Sequence, residues 1–350
     1  MENNICVLIM AGGSGERFWP LSTKRRPKQL LRLIDSERSL IRMTVDRVLD
    51  IVSGDRIFVG TNALQAEGVL EELPMLCREN IIIEPAFRDT AAAIGFGSLV
   101  INNRFKDSTL IVLASDHLIK DEGNFREVLL KAVGIASKGD SIITLGIKPN
   151  RAETGYGYLE TDSCQVGKEC RVIRFCEKPN ADLAKQYVDS GRFLWNSGMF
   201  VFNINTIFSA FRDLMPNHFR VLNEIKSLGS EIRNPENMDL IKWFMEFEKI
   251  SIDYGIMEKY HNTMVIPTDF GWNDIGSFPA LEEVFEGDEN GNIVKGTSLK
   301  QFDSKNNIII SSKGKNISIV GIEDLIIVEG DNDILVCSKK SAQEIKKVIS

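Results

Sequence analysis

The sequence predicts an α/β fold: a mixed, mostly parallel sheet flanked by helices, followed by a stack of short strands at the C-terminal end. Three observations carry this. Apolar runs alternate with stretches of helical periodicity through the first third of the 350 residues, the pattern of βαβ units. A glycine-rich turn, Gly12-Gly13-Ser14-Gly15, follows the first of those runs. Beyond residue 287, short β-rich runs recur about every eight or nine residues with turns between them, which suits stacked strands.

In chain order, Ile5–Met10 is a continuous apolar run, as a strand buried on both faces requires. Leu40, Met43, Val48 and Val52 fall at helical spacing. Residues 56–60 read as a strand, 63–73 as a helix and 80–84 as a third strand. Thr90 reads as the N-cap of the Ala- and Gly-rich helix that follows. Thr109–Ala114 is a fourth strand and closes on Ser115-Asp116-His117. A helix over 125–137 and a strand over 141–146 complete the alternation. Residues 156–160, 171–176 and 199–202 suggest a mixed extension of the sheet, with helices at Ile204–Leu214, 236–248, 251–258 and 277–285. The polar stretch Gly287-Asp288-Glu289-Asn290-Gly291-Asn292 marks a boundary between residues 1–287 and 288–350. Strands are expected at 307–311, 316–320, Leu325–Glu329 and 333–337, then a closing amphipathic helix over 342–349.

Composition narrows the function. With 43% hydrophobic and 26% charged residues, the chain holds enough apolar surface to offset its conformational entropy, so disorder is excluded as the main state. A net charge of -7 argues against a nucleic-acid binder, which needs a basic face to displace counterions. No apolar run approaches the length of a membrane span. The N-terminus lacks a basic leader with an apolar core, so no membrane association and a cytoplasmic location are expected. The six Cys (6, 77, 164, 170, 176 and 337) form no C-x-x-C pair, and three His are too few for a Cys/His zinc site. Reduced, mostly buried thiols are the expectation.

The strongest chemical signal is the loop. Glycines at the carboxyl end of a parallel strand let backbone N–H groups turn around an anion. Arg17 and, eleven positions on, Lys28 in Pro27-Lys28-Gln29 can add charge-assisted bonds to phosphate oxygens. No Gly-Lys-[Ser/Thr] follows at Walker spacing, and position 18 is Phe where a dinucleotide fingerprint has its third Gly. A tight turn with ordinary surface cations is the competing reading of the glycines alone. Asp116 ends a strand of the predicted sheet, where such folds place ligand groups; Asp274 lies in Gly271-Trp272-Asn273-Asp274-Ile275-Gly276. If they converge, the two carboxylates could hold one Mg²⁺ beside phosphate oxygens. Singly, each reads equally well as a cap.

Several segments, in this order, resemble the sugar-1-phosphate nucleotidyltransferases. They are Met10-Ala11-Gly12-Gly13-Ser14-Gly15-Glu16-Arg17, Pro27-Lys28-Gln29, Glu84-Pro85-Ala86-Phe87-Arg88-Asp89-Thr90 and Ser115-Asp116-His117, then Glu177-Lys178-Pro179, Trp195-Asn196-Ser197-Gly198-Met199-Phe200 and the Asp274 segment. The Glu84-Pro85 and Trp195-Asn196 segments point to the mannose/guanine branch. The resemblance implies a Rossmann-like catalytic domain over 1–287 and a short left-handed β-helix-like domain over 288–350. It also implies transfer of GMP from GTP to α-D-mannose 1-phosphate with Mg²⁺ as cofactor, frequent homodimerisation, and a single-function form without an appended isomerase domain. Another sugar 1-phosphate or nucleoside triphosphate, or a non-catalytic sugar-nucleotide-binding subunit, are the alternatives.

Carried over residue by residue, the resemblance assigns catalysis to Arg17, Lys28, Asp116 and Asp274, with the two Asp on the metal. Nucleotide contacts fall to Gly12, Gly13, Ser14, Gly15, Glu84, Pro85, Arg88, Asp89, Thr90 and Ser115. The sugar phosphate falls to Gly155, Gly157, Glu177, Lys178 and Asn196. Asp89 stands where the family usually has Asn, and Ala114 where it often has Pro.

Overall fold

The computed structural model describes residues 4–13, 15–162 and 165–349. The sheet that organises the larger part has nine strands: β1 (Ile5–Met10), β2 (Ile57–Asn62), β3 (Ile81–Glu84), β4 (Thr109–Ala114), β5 (Ile142–Ile147), β6 (Tyr158–Thr161), β7 (Cys170–Cys176), β8 (Phe193–Asn203) and β9 (Thr263–Thr268), in the order β3-β2-β1-β4-β8-β5-β9-β7-β6. The half from β3 to β4 is parallel, and the extension around β8 is mixed. β1 is apolar throughout because it is central: β2 and β4 flank it and both faces are covered. The helix Asp89–Arg104 is apolar on every side and buried from Ala91 to Ile101, as a helix enclosed by core must be.

Two strands of this sheet differ most from expectation, for identifiable reasons. β8 begins at Phe193, six residues ahead of the expected start; Trp195-Asn196-Ser197-Gly198 has the composition of a turn. The β5–β8 register shifts between Thr144 and Gly146, and this irregularity places Asn196 at the break, as bulges do beside functional sites. β9 carries Pro267, normally a mark against a strand. It is tolerated because β7 pairs only with Met264 and Val265, leaving Pro267 beyond that ladder. Helices at Ala181–Ser190 and Pro216–Ser227 are further elements.

The C-terminal part is β-helix-like. β10 (Ile293–Lys295), β12 (Ile308–Ser311) and β14 (Leu325–Glu329) stack in parallel, β15 (Ile334–Ser338) closes that sheet antiparallel, and β11 (Leu299–Phe302) pairs with β13 (Ile317–Val320). Partners lie 18 positions apart in the later rungs, Ile308 with Ile326 and Leu299 with Ile317, and 15 apart in the first, Ile293 with Ile308. The eight- to nine-residue spacing visible in the sequence is therefore about half a turn, with successive strands from β10 to β14 belonging to alternate sheets. Buried Asn307 ties the rungs together: its amide donates to Asn292 Oδ1 at 2.9 Å, and its Oδ1 accepts from the Leu325 N–H at 2.9 Å.

Contacts divide the chain into two compact units that interleave along it. One comprises residues 1–12, 45–115 and 119–272, the other 13–44, 116–118 and 273–350. The second has its own apolar core, in which Phe18, Leu31 and Leu33 pack with Phe278, Ile308, Ile326 and Ile345. The Phe18 and Phe278 rings meet edge to face at 5.0 Å. This core explains why the segment after the glycine loop travels with the β-helix.

No helix among the described residues is long and apolar enough to cross a membrane. Cys6, Cys77, Cys176 and Cys337 are free thiols, but Cys170 is disulfide-bonded, which corrects the expectation of reduced thiols throughout.

Candidate active site

Within the second unit, a pocket of about 350 Å³ is lined by Gly15, Arg17, Lys28, Asp116, His117 and Asp274, among others. All four residues to which the resemblance assigns catalysis thus share one cavity. Backbone geometry brings them there. Leu118 and Asn273 exchange N–H to carbonyl bonds at 2.8 and 3.0 Å, clamping the Asp116 turn to the Asp274 turn. Gly15 sits at φ 61°, and a Cβ there would lie 2.4 Å from the Lys28 backbone nitrogen. Only glycine allows the loop to close on Lys28. Ile275, next to Asp274, is held at φ 44°, a conformation that costs a β-branched residue on the order of 1–3 kcal/mol and tends to persist at functional sites.

Lys28 is the centre of this pocket. It is 6% exposed, yet its ammonium has an ion pair to Asp116 at 2.9 Å and a bond to the Asp274 carbonyl oxygen at 2.5 Å. Burial alone would raise the Asp116 carboxyl, but the Lys28 and His117 charges outweigh that and hold it below the usual carboxylate range. Arg17 reaches the Gly276 carbonyl oxygen at 3.3 Å. Among the described residues no cluster of three or more His, Cys, Asp or Glu could cage a metal. The donor set here, two carboxylates in an open pocket, suits an ion that takes one or two carboxylates, substrate phosphates and water, as Mg²⁺ does. Residue 14 lies outside the described residues, so its expected nucleotide contact has no structural counterpart here.

A second cluster lies in the first unit. Asn196 Oδ1 accepts from the Thr144 hydroxyl at 3.1 Å and the Gly198 N–H at 3.2 Å, so its amide nitrogen is turned to Asp253, at 3.1 Å. Gly157 accepts from the Asn196 N–H at 2.8 Å, and a Cβ on it would come within 2.5 Å of Glu177 Oε2. Glu177 pairs with Lys178 at 3.0 Å. Lys178, at φ 44°, is a second strained non-glycine residue beside a candidate functional group. Burial would lower its ammonium, but Glu177 more than offsets this and holds it raised. Gly155 is placed differently, its N–H donating to Glu153 at 3.0 Å. Tyr156 packs edge-on against both Trp195 and Trp272, at 5.2 and 5.3 Å.

The remaining nucleotide candidates belong to the first unit as well, except Gly13 and Gly15. Glu84 ends β3 beneath Gly12 and Gly60, and burial pushes its carboxyl up to about 8. Arg88 donates to the Met245 carbonyl at 2.9 Å. Thr90 is not the N-cap. The helix starts at Asp89, two residues earlier than that cap implies, with Arg88 in the capping position; the Thr90 N–H donates to the Asp89 carboxylate at 2.8 Å, and the Thr90 hydroxyl accepts from the Ile252 N–H at 2.9 Å. Asp89 stands at φ 64°, a conformation that Asn and Asp tolerate best among non-glycine residues. The departure from Asn therefore keeps the backbone role of the position. Ser115 is buried and bonds through its N–H to Met10. Pro85 follows β3 directly.

The model of the nucleotidyl transferase family matches residues 6–291 of this chain. The chain belongs to that family. A MannoseP isomerase/GMP-like beta-helix domain matches residues 301–350. The chain is 36% identical to the mannose-1-phosphate guanylyltransferase of Salmonella muenchen, over 99% of its own length and 73% of the relative's. It is also 36% identical to mannose-1-phosphate guanylyltransferase 2 of Escherichia coli, with the same coverage. The crystal structure described as mannose-1-phosphate geranyltransferase from Thermus thermophilus superposes with a TM-score of 0.88 at 30% identity, covering 99% of this chain and 98% of that one.

Two residues of this nucleotidyl transferase escaped the sequence. Lys346, from the closing segment Lys339–Val348, lines the same pocket as Lys28 and Asp116; in sequence it is one of several Lys on an amphipathic face. Asp253 faces Asn196 from a π-helical turn, Asp253–Met257, a form frequent at functional sites. Its signal in the sequence is slight: an Asp beside Ile252 and ahead of Gly255-Ile256-Met257. Burial, with the Glu177 charge adding to it, pushes Asp253 up to about 7.

The sign of that shift sets a test. Between about pH 4 and 7 the unfolded chain releases the Asp253 proton while the folded chain keeps it, so stability falls as pH rises. Above about 7 the contribution is constant. Asp253→Asn should flatten this slope, on the order of 1 kcal/mol per pH unit, in urea melts taken across the window. Parallel slopes for the two proteins would contradict the buried, protonated acid.

Proposed function

We propose that this nucleotidyl transferase moves GMP from GTP to α-D-mannose 1-phosphate, giving GDP-mannose and pyrophosphate. Identity over nearly the whole chain to relatives bearing that name supports the substrates. The observation that carries the chemistry is the buried Lys28 ammonium, fixed in a pocket with Arg17, Asp116 and Asp274.

The nucleophile is the sugar phosphate, already an anion, so no general base is needed. One of its oxygens forms a bond to the α-phosphorus, and the bond from that phosphorus to the β-bridging oxygen breaks. The obstacle is repulsion between two polyanions, and catalysis is charge neutralisation with in-line alignment. In this reading the amides of the Gly12–Gly15 loop hold triphosphate oxygens, and Arg17, Lys28 and Lys346 take the charge that builds on the departing pyrophosphate. Lys178 holds the sugar's phosphate. Glu177, Asn196 and Asp253 accept from or donate to its hydroxyls, and Gly157 gives the ring close approach to the backbone. Glu84 contacts the nucleotide. Asp116 and Asp274 would hold a divalent ion, Mg²⁺ by donor type; when bound, it supplies further positive charge at the phosphates. A cytoplasmic location and a homodimer are part of the same proposal, the latter open to gel filtration.

A panel of nucleoside triphosphates and sugar 1-phosphates, scored by pyrophosphate release, tests the substrates. The fastest pair is expected to be GTP with mannose 1-phosphate; a faster pair of another kind overturns the assignment. Lys346→Ala should raise the KM for GTP roughly 5- to 10-fold, the loss of one partly solvated charge contact, with no change in melting temperature because the side chain is exposed. An unchanged KM removes the closing segment from the site.

A further inference from the structure

A cavity of about 600 Å³ lies in the same compact unit as the phosphate pocket and shares none of its lining. Apolar lining comes from Leu21, Leu31 and Leu33 of the segment after the glycine loop and from Val294 and Ile310 of the β-helix strands. The acids at its edge are already engaged, Asp35 with Arg38 at 2.8 Å and Asp331 with Lys313 at 3.1 Å. Arg26 and Lys295 line the cavity with no carboxylate partner among the described residues. The Lys295 ammonium rests 3.9 Å from the centre of the Phe285 ring. In a chain of net charge -7, this is a local positive field over an apolar floor. The volume is that of a small-molecule site.

We propose that this cavity binds a small organic anion, a phosphate ester with an apolar ring body. The Arg26 guanidinium and Lys295 ammonium would take the phosphate, and the Leu and Ile side chains would take the ring. The site is separate from the transfer reaction and stands whether or not the substrates proposed above are correct. A nucleoside monophosphate and a sugar nucleotide both carry the required chemistry.

The test uses the full chain and 8-anilinonaphthalene-1-sulfonate, an anion on an apolar ring system whose fluorescence rises on binding. Wild type is expected to bind it, and Arg26→Ala with Lys295→Met to bind it at least ten-fold more weakly. Lys28→Met, in the other pocket, should bind it as wild type does. Thermal melting shows whether the double variant keeps its fold; should it not, Arg26→Ala alone, at an exposed residue, must still weaken binding. Displacement of the dye by GMP, or by GDP-mannose, in the Lys28→Met protein supports the proposal and tells the two sources apart. The proposal is overturned by dye binding that ignores Arg26 and Lys295, by loss of binding in Lys28→Met, by displacement with inorganic phosphate as readily as with GMP, or by no displacement with any phosphate.

Discussion

Turnover of GTP with mannose 1-phosphate is expected to fall about 10²–10³-fold when Lys28 is replaced by Met, the cost of removing one oriented donor from a charge-stabilising site. The size follows from how Lys28 is held. Its ammonium is fixed by the Asp116 carboxylate and the Asp274 carbonyl and lies 5.8 Å from the centre of the Phe18 ring, so it needs no rearrangement when a polyphosphate arrives. Met keeps the stem volume. Asp116, left without its partner, is 29% exposed at the side chain and can recover part of its hydration, so loss of the ion pair should lower the melting temperature without unfolding the chain at the assay temperature. Initial rates of pyrophosphate release, read beside melting curves, check this. A rate loss matched by unfolding, or one confined to the KM for mannose 1-phosphate, would contradict the assignment of Lys28 to the nucleotide phosphates.

Asp116→Asn should cost at least as much, on the order of 10²-fold or more in rate, and should also remove the response to divalent cation. Two physical roles meet in this carboxylate: it neutralises Lys28 and it offers oxygens to a metal. Asn preserves shape and one carbonyl oxygen but discards the charge, leaving the Lys28 ammonium buried without its counter-ion, which is costly. Rescue separates the roles. In wild type, rates should climb and saturate with Mg²⁺; in Asp116→Asn the titration should be flat or shifted to far higher concentration. An unaltered Mg²⁺ titration would leave Asp116 only as the partner of Lys28. Because that pairing holds the carboxyl below its ordinary range, the ion pair should persist until pH falls well into the acid range, and its stabilisation is lost as pH drops through that depressed value.

Much of this site was legible because the chemistry sits at strand ends and in turns, where residue type is decisive. Gly15, Lys28, Asp116 and Asp274 could be listed from the sequence, and β1 and β4, with their uninterrupted apolar runs, could be placed. Other features depend on tertiary partners. Pro267 is compatible with β9 only because β7 stops short of it, and Trp195-Asn196-Ser197-Gly198 forms strand rather than turn because β5 and β6 lie against it. Lys346 gains a role only from the core that packs Ile345 with Phe18. The interleaving of the two compact units has the same origin. Residues 13–44 carry the glycine-loop chemistry of the sheet in sequence, but their apolar side chains are buried with the β-helix strands.

The central claim is that the pocket of Arg17, Lys28, Asp116 and Asp274 receives the pyrophosphate portion of a nucleoside triphosphate. Titration calorimetry of inorganic pyrophosphate into the full chain, with Mg²⁺ present and no sugar phosphate, addresses it without reference to sugar or base. One molecule should bind per chain, at least ten-fold more weakly in folded Lys28→Met; equal affinity in the two proteins, or no binding to wild type, would contradict it.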